Sequence, residues 1–507
     1  MRMEAAARCP VSFLAATLAA GLTALSAIAG PADWRPKERW RGFNLEGYAL
    51  QGSFSGKVDE QDLAWMHELG FNFARIMVDY HYIASDGDWK TPDPAKCGFI
   101  DRVFELGRRH RIHTQLCLSI PPGVDYKVTR SKACLFDDPV ARQTLVDYWR
   151  FLARRYRERP NDEVSFNLFN EPNAQLKKGD EYVTLIARCL EAIHAEAPDR
   201  FVIADGHQSG RLPEPRAVNL PCGQSIHVYE PMGISHYRAE WCRDSSEWSP
   251  SWPLPPVCSP VCGALKPPEA RGPIIIHKLP ACHLSVVLGI VNRHGEFVVR
   301  ANGTEIFRRY YRPAKTVDYD GIIERSGGEF AGIPKARIEL DLPETARLEL
   351  GMDRGDWIVV REIAFEKDGR RAVVKPEFNW SRSQQPRRDL FFAGFDAVCP
   401  VTLADGKPYT GLDALNEIVY DHWQPVFAAG QFVMVGETGF YKHTPYELGL
   451  KWLEENLRIW QERGIGWALW NFRGPFGILD SGRVGVVYED FHGHKLDRQM
   501  LDLLRRY

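Results

Sequence analysis

From Trp40 to Tyr229, short apolar runs alternate with longer stretches in which apolar residues return every three or four positions. The short runs predict strands over 41–45, 73–78, 113–118, 164–169, 201–204 and 225–229. The longer stretches predict amphipathic helices over 60–69, 99–109, 141–157 and 182–195. The same alternation resumes after about residue 396, with helix 412–427, strand 432–435, helix 446–463, strand 466–470 and a closing helix 495–506. Repeated β-then-α units imply a parallel sheet with right-handed crossovers. Eight such strands predict an α/β fold, the (β/α)8 TIM barrel, whose working face lies at the C-terminal ends of its strands.

Residues 257–395 break that rhythm. Alternating strand-like runs recur at 274–277, 284–288, 295–299, 336–340, 346–350 and 357–365. Turn signals separate them at Asn302-Gly303, Asp353-Arg354-Gly355 and Asp368-Gly369. This predicts an antiparallel β-sandwich inserted in the loop after barrel strand six. The domain reading is therefore a leader over 1–29, a barrel from 30–256 and 396–507, and an insert over 257–395. The loop before the insert carries Tyr237, Trp241, Trp248 and Trp252. These rings either form sugar subsites at the barrel mouth or bury the seam between the two domains.

Two strings carry the candidate chemistry. Ser165-Phe166-Asn167-Leu168-Phe169-Asn170-Glu171-Pro172 and Val433-Met434-Val435-Gly436-Glu437-Thr438-Gly439 each close an apolar strand on a glutamate. A buried strand ending in a carboxylate is costly unless that group has work to do. One Asn-Glu-Pro triplet recurs by chance, but two such strand ends place a carboxylate pair at one mouth, the minimum equipment for splitting a glycosidic bond. Arg75 lies on the second strand, His227 and Tyr229 end the sixth, and Trp470 ends the eighth.

Composition narrows the partners. A formal net charge of −2 gives no basic surface for nucleic acid or an anionic membrane. The 15 tryptophans and 18 tyrosines suit a cleft that stacks sugar faces, although most such rings belong to core. No ligand cluster or nucleotide-binding glycine loop stands out, so no metal or organic cofactor is expected. Arg2 and Arg8, the apolar run from Val11 to Ile28 and the small residues Ala27 and Ala29 predict an export signal or, alternatively, an uncleaved anchor. After signal removal the expectation is a secreted or periplasmic monomer whose partner is an oligosaccharide or polysaccharide. Cys117 and Cys189 fall in apolar patterns and read as buried thiols, whereas Cys222, Cys242, Cys258, Cys262 and Cys282 are the disulfide candidates of an exported chain. Cys258 and Cys262 lack a second pair at finger-like spacing, which argues against structural zinc.

Taken together, Asn170-Glu171, His227-x-Tyr229, Glu437, Arg75 and the closing run from Gly466 to Asp480 resemble glycoside hydrolase family 5, cellulase-like retaining glycosidases with the acid on strand four and the nucleophile on strand seven. The resemblance covers nearly all of the chain outside the leader and the insert. It implies that Glu171 is the general acid/base and Glu437 the nucleophile. It further implies that Arg75 lowers the Glu437 pKa, Asn170 binds a sugar 2-hydroxyl, Tyr229 orients Glu437, His227 bonds near the acid and Trp470 forms the sugar floor. One position departs from the family. The third strand ends Leu116-Cys117-Leu118-Ser119-Ile120, with Ser119 where members commonly carry histidine. The insert resembles carbohydrate-binding modules in strand pattern alone, and a structural lid is the equal alternative. The resemblance implies hydrolysis of a β-linked glucan or mannan; a transglycosylase using the same covalent intermediate and a carbohydrate-binding pseudoenzyme are the competing readings.

Overall fold

The structure, a computed structural model, describes residues 34–507 except 49–57, 59, 125–133, 173–178, 243–247, 249, 267, 269–270, 379–388, 398, 405 and 407–408. The leader expected over 1–29 lies outside the described residues. Among the described residues no helix is long and apolar enough to cross a membrane.

Eight parallel strands close into a barrel: β1 Arg41–Tyr48, β2 Phe73–Asp79, β3 His113–Ile120, β4 Val164–Asn167, β5 Val202–Asp205, β6 Gly223–Val228, β7 Val433–Thr438 and β8 Gly466–Leu469. Strands β2 to β8 are buried along their whole length, which is why they read as near-continuous apolar runs. Helices Glu60–Glu68, Gly98–Arg109, Pro139–Tyr156, Gly179–Glu196, Tyr446–Glu462 and Arg498–Arg506 follow β1, β2, β3, β4, β7 and β8. The helix predicted over 412–427 is present as Gly411–Leu415 and Asp421–Ala428 joined through a π turn at Asn416–Tyr420. The β5–β6 connection carries only short helical turns, His207–Gly210 and Pro215–Asn219.

The N-terminal end of the barrel is plugged by rings. His113 stacks on Trp40 at 4.3 Å and on Phe73 at 5.8 Å, and its Nε2 lies 2.8 Å from Ser165 Oγ. Burial lowers the His113 pKa to about 3, so the ring is a neutral packing element. With that end filled, chemistry is confined to the opposite mouth.

Between β6 and β7 the chain builds an 11-stranded, predominantly antiparallel sheet. Two long strands, Cys282–Ala301 and Thr345–Lys367, run side by side through it. The sequence divided each of these into two short strands. In the structure, bulges between Val287 and Leu288, Leu288 and Val291, Asn292 and Gly295, and Glu296 and Phe297 bend them without ending them. The supposed turn Asp353-Arg354-Gly355 therefore lies inside a strand. Gly355 has φ +95°, and a Cβ there would sit 2.4 Å from the His294 carbonyl oxygen, so only glycine passes. Asn302-Gly303 and Asp368-Gly369 do turn the chain, with both residues of each pair at positive φ, as tight hairpins require. One apolar cluster draws on both halves of each long strand, including Leu284, Val299, Leu350 and Phe365, which is the core of a sheet folded on itself.

The apolar clusters divide the chain between barrel and sheet, with Leu403 packing on both. Leu254 and Tyr409 belong to the barrel core, whereas Val257 and Val401 belong to the sheet core. The last strand of the sheet, Val401–Thr402, pairs with Leu390–Phe392 and so lies beyond the expected edge at 395. We propose that this sheet is a domain with its own core. Excision of residues 257–402 with a short linker in their place is expected to leave a soluble barrel that unfolds in one cooperative transition, read by circular dichroism and calorimetry. An insoluble barrel together with an unfolded isolated insert defeats that division.

Candidate active site

At the C-terminal mouth, backbone irregularities aim the two glutamates. β6 and β7 pair in register up to Ile226 opposite Val435, and then His227 stands opposite Glu437, so Gly436 is an extra residue in a bulge. A Cβ on Gly436 would meet Ser225 Oγ at 2.2 Å, and the Gly436 carbonyl accepts from Asn44 Nδ2 at 2.8 Å. The bulge re-aims Glu437 at the strand end, where bulges commonly serve sites. Glu171 follows β4 with φ +48°, a left-handed conformation that is unfavourable by about 1–2 kcal/mol for a side chain of this kind. Its backbone N–H donates to Asp205 Oδ2 at 3.0 Å, which holds that conformation in place.

Arg75 is the hub. It is fully buried on β2, level with Asn44 on β1 and Gln115 on β3. Its Nη1 donates to Glu437 Oε1 at 2.8 Å and Asn44 Oδ1 at 3.1 Å. Its Nη2 donates to Asn170 Oδ1 at 2.8 Å and Asp205 Oδ2 at 3.2 Å, and its Nε to Asn167 Oδ1 at 2.8 Å. The planar fork thus aligns five acceptors from four strands and their ends, a task a lysine's point charge does not perform. The other oxygen of Glu437 accepts from the Tyr229 hydroxyl at 3.2 Å. Burial, with Glu437 and Glu171 close by, raises the Tyr229 phenol well above its ordinary pKa and keeps it a donor.

His227 is fully buried, with Nδ1 3.0 Å from Glu171 Oε1 and 3.7 Å from Glu437 Oε2, and Nε2 3.2 Å from Asp205 Oδ2. Burial opposes its charge, but Glu437 and Asp205 outweigh it and raise the imidazole to about 10. Burial alone would raise Asp205; His227 and Arg75 instead hold it well below the usual carboxylate range. For Glu437, burial pushes the carboxyl up, His227 and Arg75 pull it down, and Glu171 and Asp205 reinforce the rise, leaving it above its ordinary value. Arg75 acts in the direction expected from the sequence, but burial dominates. One oxygen each of Glu171 and Glu437 and one ring nitrogen of His227 lie within 4.8 Å of one another. Among the described residues this trio is spaced as a metal site would be; His227 Nδ1 is already hydrogen-bonded to Glu171 Oε1, and Nε2 lies 3.2 Å from Asp205 Oδ2 without hydrogen-bond geometry.

Comparison with known proteins fits this geometry. The model of the cellulase family, glycosyl hydrolase family 5, matches residues 37–328, more than half of the chain. The chain belongs to that family. It is 26% identical over 221 residues to Endoglucanase C of Acetivibrio thermocellus, a match covering 41% of this chain and 62% of that relative. Endoglucanase C307 of Clostridium sp. (strain F1) matches to the same extent. The chain thus spans less than two thirds of the length of these relatives. Among solved structures, a crystal structure of a glycoside hydrolase shares the fold with a TM-score of 0.57 at 22% identity, covering 92% of this chain and 99% of that one. Thermotoga maritima Cel5A in complex with mannotriose does so with a TM-score of 0.53 at 13% identity, covering 94% and 99%. The family match stops inside the insert, before β7 and β8, so it takes in Glu171 and leaves out Glu437.

In this family 5 chain Asn170, Glu171, His227, Tyr229, Glu437 and Trp470 stand at or just beyond the C-terminal ends of their strands, and Arg75 reaches this group from within β2. Trp470 is half-buried, packing on Met77 and Cys117 on one side and joining Tyr229, Tyr441 and Phe476 on another. Ser119 is buried near the end of β3. Trp241 is 49% exposed and meets Tyr441 edge-on at 4.9 Å, continuing the same aromatic group to the surface. Trp252 instead packs against the barrel core. Sequence reasoning missed Asp205, Asn167 and Asn44. The signal for Asp205 was available: Val202-Ile203-Ala204-Asp205 is a third apolar strand that closes on a carboxylate. Among the disulfide candidates, Cys222, Cys242 and Cys282 are thiols, and burial pushes Cys222 up to about 12; Cys189 is the buried thiol expected. Cys222 ends up as a thiol inside the barrel core, although its sequence surroundings read as a loop.

Proposed function

We propose that the protein is a retaining β-glycoside hydrolase that cleaves β-linked glucan or mannan chains by double displacement. The observation that carries this reading is the approach of the Glu171 and Glu437 carboxylate oxygens to within 4.8 Å. Retaining sites hold their carboxyl groups about 5–5.5 Å apart, whereas inverting sites leave roughly 6.5–9.5 Å for a water. Glu437 has a donor on each oxygen, Arg75 on one and Tyr229 on the other, so a proton there would displace a hydrogen bond. The single proton of the pair therefore resides on Glu171, whose side chain is 30% exposed toward the mouth.

In the first step Glu437 attacks the anomeric carbon while Glu171 gives its proton to the departing oxygen. In the second, Glu171 takes a proton from water, which attacks the glycosyl ester and frees Glu437. Asn170, its amide oxygen held by Arg75, carries the sugar 2-hydroxyl contact that the family resemblance implies. Trp470 provides an aromatic wall beside the reacting sugar. The similarity to two endoglucanases supports glucan as the first substrate class to test. Export through the 1–29 segment and action as a monomer belong to the same reading.

The test is to incubate purified protein with a panel of β-glucans, β-mannans and aryl β-glycosides and to follow the newly formed anomer by proton NMR. Initial release of the β-anomer supports the reading. Initial release of the α-anomer overturns the mechanism, and products that appear only with added sugar acceptor assign a transglycosylase.

A further inference from the structure

Asp205 has no part in the two-step scheme above, yet it is fully buried beneath the site and touches more of it than any group except Arg75. It accepts from Arg75 Nη2 at 3.2 Å, from the Glu171 backbone N–H at 3.0 Å and from Asn167 Nδ2 at 3.0 Å, and it lies 3.2 Å from His227 Nε2. Its own backbone carbonyl accepts from the Tyr182 hydroxyl. The charged groups facing this network come from five directions. Arg75 stands on β2, Glu171 follows β4, Asp205 ends β5, His227 lies on β6 and Glu437 on β7. The titratable neighbours are Cys117 beside Arg75, Tyr229 beside both glutamates, and His236 near Glu171, which burial lowers to about 4 and so leaves neutral.

Counting charges shows what Asp205 supplies. Before reaction, with the proton on Glu171, the cations Arg75 and His227 face the anions Asp205 and Glu437, and the sum is zero. In the first step a bond forms between a Glu437 oxygen and the anomeric carbon, the bond to the leaving oxygen breaks, and the Glu171 proton goes to that oxygen. Glu437 becomes a neutral ester as Glu171 becomes an anion. The cations then face Asp205 and Glu171, and the sum is again zero. A buried cluster that stays neutral through the step needs no counter-ion or solvent reorganisation to follow the proton.

We infer that Asp205 is a positioning residue, resting on the double-displacement reading, whose fixed negative charge keeps His227 an imidazolium and sets the pH window in which Glu171 is an acid while Glu437 is an anion. Removing that charge leaves the cluster one unit positive and lowers the proton affinity of every neighbour at once.

Three measurements test this. In Asp205→Asn, which keeps the side-chain shape, both limbs of the kcat/KM–pH profile on an unactivated oligosaccharide from the panel should move to lower pH by about one to two units. Asp205→Glu retains the charge and should leave the limbs in place even where its extra methylene lowers kcat. Nitrogen-15 NMR of histidine-labelled wild type should show both His227 ring nitrogens protonated at pH 7 and up to about pH 8. A merely structural Asp205 would lower activity or melting temperature in Asp205→Asn without moving the limbs, and that result overturns the inference. So does a neutral His227 at pH 7 in the wild type, a readout that remains decisive where Asp205→Asn does not fold. If no substrate is hydrolysed, the double-displacement reading fails while the His227 measurement still judges Asp205.

Discussion

Glu437→Ala is expected to abolish turnover on every substrate, with kcat falling on the order of a million-fold, as when a covalent nucleophile is removed from an otherwise intact site. No glycosyl ester can form, and no other carboxylate among the described residues stands where Glu437 does, between the Arg75 and Tyr229 donors. Glu171→Ala is expected to behave differently. Poor leaving groups, which need protonation, should lose several orders of magnitude, whereas dinitrophenyl glycosides depart with little help and should retain much of their first step. Azide separates the two roles. In Glu171→Ala it should attack the glycosyl ester and yield the β-glycosyl azide; in Glu437→Ala it should enter the emptied nucleophile space and yield the α-product. Equal losses in Glu171→Ala across all leaving groups defeat the assignment of the acid. Undiminished turnover in Glu437→Ala defeats that of the nucleophile.

The second large effect is expected at Arg75, for reasons of stability as much as chemistry. Arg75→Met fills most of the volume but leaves Glu437 and Asp205 without their main cation in a site where Arg75 and Asp205 are fully buried. Stripping one partner from a buried ion pair is destabilising by about 3–5 kcal/mol. The loss should depend on pH in a definite direction. Without Arg75 the Glu437 carboxyl is raised further above its ordinary value and Asp205 loses part of the pull that keeps it low, so the folded variant holds more protons than folded wild type and its deficit in stability widens as pH rises. Melting curves should therefore separate wild type from Arg75→Met most widely near neutrality and least near pH 4. The acid limb of any residual activity should move to higher pH, opposite to the shift expected in Asp205→Asn. Arg75→Lys keeps the charge and should recover much of the stability. It should still lose activity, because one ammonium cannot reach Asn44, Asn167, Asn170, Asp205 and Glu437 together. A melting curve for Arg75→Met that matches wild type at pH 7 contradicts this account.

The opposed pH shifts at positions 75 and 205 follow from one feature of the mouth: two cations and three carboxyls share a single buried network, so no member titrates alone. A pH optimum measured for this protein will belong to that network. Ser119 adds to the interest of the arrangement, since the family commonly has a histidine in that register. In this chain His227 and Asp205 form the histidine–carboxylate contact beneath the acid.

The sequence alone determined the barrel, because a parallel strand covered on both faces must be apolar throughout, and that requirement is written locally in runs such as Phe73–Asp79 and His113–Ile120. It also pointed to both glutamates, because a carboxylate at the end of such a run contradicts its surroundings, and the structure brings the two to one mouth. What it did not contain was anything that depends on which distant groups meet. Asp205 closes an apolar run as the two glutamates do, but only closure of the barrel places it against Arg75 from β2 and His227 from β6. The net rise of the Glu437 carboxyl was equally hidden, because desolvation is a property of the assembled mouth and it outweighs the nearby cations. In the insert, Asp353-Arg354-Gly355 has the local chemistry of a turn, and only pairing with Cys282–Ala301 turns it into a bulge within a continuing strand. Patterns along the chain report the environment each segment needs; the tertiary structure alone decides which charges share it.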